Sequence, residues 1–154
     1  MTTPIKASIK ANVETTLKTI TTANGYNQTV DSDAVIGHRP YLPNDAAKFP
    51  WLNVWWEEEI NSNDQIVSHS VKDAVLMVGL KTNDGDDPEP AMEKLKADVE
   101  KALMVDRQRG GYAIDTALVD ADPDWRPVTV GVKPTGVAYL TFRIRYRHKV
   151  GNPY

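Results

Sequence analysis

Apolar residues recur at Ile5, Ile9, Val13, Leu17 and Ile20, in steps of four, four, four and three, which sets them on one stripe of a helix. Asn24-Gly25 follows as a stop signal. A second stripe, Met92, Leu95, Val99 and Leu103, predicts another helix. Asp87 is its candidate N-cap, Pro88 its first helical position, and Glu89 a favourable charge near its positive end. Arg107, Arg109 and Gly110-Gly111 close it.

Elsewhere the pattern shifts toward strands. Trp51–Ile60 and Ile66–Thr82 read as a hairpin around Asn61-Ser62-Asn63-Asp64, and Ala113–Val119 as a shorter strand. Val137–Lys149 alternates most clearly: Ala138, Leu140, Phe142, Ile144 and Tyr146 on one face, Tyr139, Thr141, Arg143, Arg145 and Arg147 on the other. Asn27–Gly37 is rich in β-branched residues but interrupted by acids, which suits an edge strand or a short arm. His38–Pro50 holds three prolines and no period, and reads as a long loop, as does DADPDWRP.

The order helix, two or three strands, helix, two strands, with hairpin-length turns, predicts an α+β fold. Its sheet would be mainly antiparallel, of four to five strands, with two helices packed on one face. No segment repeats another and no linker divides residues 1–154, so a single domain is expected.

Composition narrows the chemistry. With 41% hydrophobic residues the chain can bury a core, and with no cysteine it has neither thiol catalysis nor disulfides. The opening residues lack the unbroken apolar run of a signal peptide, and nothing approaches membrane-spanning length; no membrane partner is expected. The net charge of −3 hides an asymmetry: beyond Asp124 there are six basic residues and no acidic one, whereas the first 124 residues carry 12 basic against 21 acidic. Such a split suits either a polyanion or an acidic protein surface as partner.

Candidate catalytic groups do not assemble into a motif. His38, His69 and His148 lack metal-ligand spacing, and neither a Gly-x-Ser-x-Gly elbow nor a phosphate-binding glycine loop is present. Asp84, Asp86 and Asp87 around Gly85 lack calcium-loop spacing and read as a turn before a helix. A small hydrolase using Glu57, Asp73 or those aspartates would be an alternative class, and a nucleic-acid-binding module another. No cofactor or metal is expected, and the chain is read as a non-enzyme.

The stretch FPWLNVWWEEE raises the interface question. On a strand, Trp51, Asn53, Trp55, Glu57 and Glu59 share one face, while Leu52, Val54, Trp56, Glu58 and Ile60 share the other. The second set suits the helix-covered core, which leaves two indoles outside, each forgoing about 2 kcal/mol of burial in water. Arginine stems from the last strand are one possible cover. Another copy of the chain is the second, with Arg143, Arg145 and Arg147, about 7 Å apart along a strand, meeting Glu57 and Glu59. A contact between two different surfaces generates a ring or an open stack.

The helix closing on TTANGY, the FPWLNVWWEEE strand after a proline-rich loop, the helix MEKLKADVEKALMVD and the ending FRIRYRHKVGNPY together resemble the tail-terminator or tail-completion proteins of long-tailed bacteriophages, the lambda minor tail protein U-like group. The likeness is one of layout and spans nearly the whole chain. It implies a structural virion protein forming a ring, commonly a hexamer, that caps the tail tube, ends its polymerisation and provides the head-joining surface. Partners would be the tail tube protein and head-tail connector proteins, with genomic DNA only passing through the lumen. A head-closure adaptor is the nearest alternative. Arg39 and Tyr41 in the long loop, and Asp84 and Asp86 in the acidic turn, are candidates for axial contacts.

Overall fold

Both helices form, α1 over Ile5–Leu17 and α2 over Glu89–Val105, and their apolar stripes share one core. The protein is α+β. The structure, a computed structural model, describes residues 3–39, 48–61, 68–83, 87–121, 128–130 and 133–154. Its strands are β1 (Val35–Ile36), β2 (Trp51–Asn61), β3 (His69–Thr82), β4 (Asp115–Ala121), β5 (Val128–Val130) and β6 (Lys133–Lys149).

The sheet runs β1-β2-β3-β6-β4, antiparallel throughout except for the parallel β1–β2 pair, and β5 pairs with the start of β6. The register follows burial. Ala74, Leu76, Val78 and Leu80 lie opposite Ile144, Phe142, Leu140 and Ala138 on the inner face, where Val13, Leu17, Leu95, Val99 and Leu103 from the helices complete the core. A one-residue slip would send every one of these side chains to the wrong face, which is why an alternating strand with one buried side specifies its partner's register.

β5 was not foreseen, and β6 begins at Lys133, four residues earlier than read; three further boundaries also differ from expectation. α1 stops at Leu17; a separate 3-10 turn at Thr22–Asn24 is capped by the Thr21 hydroxyl, and Gly25 takes the left-handed conformation (φ 81°) that ends it. Asn27–Gly37 is a strand only at Val35–Ile36. Its polar start is used instead by α2: the buried Asp98 carboxylate accepts from Asn27 N at 3.0 Å, Asn27 Nδ2 at 2.8 Å and Gln28 N at 2.9 Å. β4 starts two residues later than read and carries an irregularity between Leu118 and Asp120.

At the start of α2 the cap position falls on Pro88, one residue later than read, and Asp87 just before it accepts the Glu89 N–H at 3.1 Å. At its far end, Arg109 is fully buried in a left-handed conformation (φ 51°) beside Gly110 and Gly111, and donates to the Leu103 carbonyl. Burial lowers its pKa despite the opposing charge of Asp106. Among the described residues no helix is long and apolar enough to cross a membrane.

Candidate functional site

The outer sheet face, the one the helices leave bare, was to carry the tryptophans, two glutamates and the arginine ladder. A bulge in β2 rearranges this set. Trp56 lies opposite Leu76 and Glu58 opposite Val75, so Glu57 is the extra residue. Beyond it the faces exchange. Glu58 and Ile60 now share the outer side with Val75 and Asp73, and Glu59 lies opposite core residue Ala74. The assignment of Glu59 to the outer face and Ile60 to the core is therefore corrected; Ile60 is 57% exposed.

Trp51 and Trp55 were expected to need a second copy of the chain, or arginine stems, to cover them; no second copy is required. They are 7% and 8% exposed within a single chain. Trp55 packs edge-on against Tyr139, with centroids 6.1 Å apart and planes at 87°, and its Nε1 donates to Glu57 at 2.8 Å. Gly79 makes this possible: a Cβ there would sit 3.1 Å from the indole. The Lys81 ammonium lies 6.0 Å from the Trp51 ring centre, and burial lowers its pKa. Between the indoles, buried Asn53 donates to the His38 carbonyl at 3.3 Å. Tyr139 supplies a ring to Trp55 and Lys81 a cation to Trp51.

The arginine ladder divides as well. Arg145 binds Asp73 through two parallel bonds of 2.9 Å, and Arg107 holds Asp115 through two bonds of 2.7 Å. The Arg145 guanidinium holds the Asp73 carboxyl below its usual range. Arg143 and Arg147 are exposed and form no ion pair among the described residues. Three rungs have become two cations flanking a neutralised pair.

On the helix side, Glu59 is the centre of a cluster bordering a hollow of about 490 Å³ with Pro4, His148 and Pro153 on its walls. Tyr146 Oη donates to Glu59 at 2.5 Å, Lys6 from α1 lies at 3.0 Å and Lys72 at 3.4 Å. Partial burial pulls Glu59 upward, but the bonds from Tyr146 and Lys6, with the charges of Lys6 and Lys72, outweigh it and leave the carboxyl below its usual range. Burial and the same bond raise the Tyr146 phenol. A carboxyl held ionised and a phenol held protonated keep their protons where they are at neutral pH, the reverse of an acid–base pair tuned toward pH 7.

The remaining candidates are dispersed. Arg39 donates to Glu57 at 3.1 Å, so this proposed axial contact is joined to β2; Tyr41, Asp84 and Asp86 lie outside the described residues. Each histidine is engaged locally, His38 with the Arg39 carbonyl, His69 with the Ser68 hydroxyl and His148 with the Lys149 carbonyl. Among the described residues no three acidic or histidine side chains gather as a metal-binding group. Sequence reasoning missed the bulge, Asp98 and the buried Arg109. The run of three glutamates at the end of an otherwise alternating strand was the available signal for the first. No protein-family model matches the chain, and no curated protein matches it in sequence.

Proposed function

We propose that this protein forms a ring that caps the tail tube of a long-tailed phage, ends tube polymerisation and offers the surface to which the head joins. The layout resemblance motivates the reading. The observation on the molecule that carries it is the helix-free half of the sheet, with exposed Arg143 and Arg147 toward one side and exposed Glu58 and Ile60 toward the other. Opposed chemistry at two sides of one face suits a head-to-tail contact between copies, the kind that closes into rings. The tail tube protein and the connector proteins are the proposed partners, and the virion, at the head-proximal end of the tail, the proposed location. The same surfaces suit a head-closure adaptor, so the test must separate the two.

Purified protein added to growing tail tubes is expected to appear as a ring on tube ends in electron micrographs and to arrest elongation. Binding to filled heads with no effect on tube growth would replace the terminator by the adaptor. Failure to bind either would overturn both. Steep salt-dependent binding of random DNA by the monomer would favour a polyanion module, a reading weakened by the internal pairing of Arg145 with Asp73.

A further inference from the structure

β4 begins only at Asp115, opposite Arg145, so among the described residues no strand lies beside Tyr146, Arg147 and His148 of β6 on that side. A hollow of about 470 Å³ occupies this notch, with Ile5, Gln108, Tyr112, Ile114 and Arg147 among its walls. Ile114 is tied in place by its N–H, which donates to the Arg145 carbonyl at 2.7 Å. Tyr112 and Ile114 are 49% and 42% exposed, an apolar pair left in water beside an arginine without an ion-pair partner among the described residues. On the opposite flank of the sheet the bulge at Glu57 turns out Ile60, 57% exposed, with Glu58 two residues before it on the same face.

We infer that Ile60 of one copy of this chain seats in the Tyr112–Ile114 notch of the next, with Glu58 brought to Arg147. The proposal rests on the ring reading above and adds to its charged residues the Tyr112–Ile114 hollow as the apolar seat. Three features select a second copy. The apolar residue on one flank carries an acid and the apolar hollow on the other carries a base, so each polar neighbour finds a counter-charge as each apolar surface leaves water. The two elements lie on opposite sides of β3 and β6, about 14 Å apart at ordinary strand spacing, so each chain offers one complementary element to each neighbour. The edges themselves do not invite strand pairing: Glu58 near the end of β2 and Asp120 on β4 have no ion-pair partner among the described residues, so joining these strands would set acid against acid.

The test uses the full chain and two single variants, Ile60→Lys and Ile114→Lys, followed by mass photometry and sedimentation. Both sites are surface positions, so thermal melts are expected to match the parent and report any loss of folding. The parent is expected to form rings, alone or on tube ends, and each variant to lose all species above monomer. An equimolar mixture of the two variants retains one intact contact per pair and is expected to give dimers and nothing larger. Rings that persist in either well-folded variant would overturn this contact and leave the ring reading standing. Monomeric variants whose mixture gives no dimer would overturn the pairing of these two surfaces. A parent that never self-associates, alone or with tubes, would overturn the contact and the ring together.

Discussion

Arg145 on β6 grips Asp73 on β3 through two parallel bonds of 2.9 Å, and its strand neighbour on the other side, Asp115, is already held by Arg107. The middle rung of the basic column is thus an internal strut. Arg145→Glu would set three carboxylates in one row of the sheet, and is expected to destabilise the monomer by about 2 kcal/mol or more. The check is urea denaturation of the variant beside Arg143→Glu, an exposed rung whose loss should cost well under 1 kcal/mol.

Acid stability follows from the same pair. Asp73 and Glu59 both have depressed folded-state pKa values, so the unfolded chain binds protons more readily than the folded one. Their contribution is complete above the ordinary carboxyl values of 3.8 and 4.5, and is lost as pH falls through the folded values. Thermal midpoints should hold above about pH 5 and decline below it. Asp73→Asn is expected to cost about 1 kcal/mol at neutral pH, less at high salt because Arg145 is partly exposed, and to flatten the acid decline.

Trp55→Ala is expected to destabilise the single chain by about 3 kcal/mol, since it empties a site one chain closes by itself. Gly79→Val should cost about 1–3 kcal/mol by pushing a methyl-bearing carbon into that ring. Tryptophan fluorescence would report both, with a red shift in the Gly79→Val protein as an indole moves toward water. Unchanged emission and stability in both variants would remove the account of how Trp55 is covered.

Asp98→Ala strands three donors at Asn27 and Gln28, and is expected to cost about 2–4 kcal/mol. Amide exchange gives the sharper readout. The amides of Asn27 and Gln28 should exchange much faster in the variant while those of β3 and β6 slow down or speed up only with global stability.

Glu59→Gln removes the shared anion from Lys6, Lys72 and Tyr146, and is expected to cost about 1–2 kcal/mol, with Tyr146→Phe at about 1 kcal/mol. A double variant no worse than Glu59→Gln alone would establish that the two side chains act as a unit.

The apolar periods by themselves determined both helices, the three long strands and the core-facing side of β6, because a spacing near 3.6 or 2 leaves one stripe or one face to bury whatever lies opposite. They also marked Arg143 and Arg147 as outward-facing. Where the faces changed, local pattern could not say. Tertiary structure decided that Glu57 is a bulge, which sent Glu59 toward Lys6 and Ile60 toward solvent, and that Gly79 lies under Trp55 so that a single chain shelters the indole. It also chose Asp73 for Arg145 and Asp98 for Asn27 and Gln28, partners more than 65 positions away in sequence. Periodicity records only which side of its own element a residue occupies; which side chain meets it there depends on register between distant strands, and register is set when the whole sheet closes on its core.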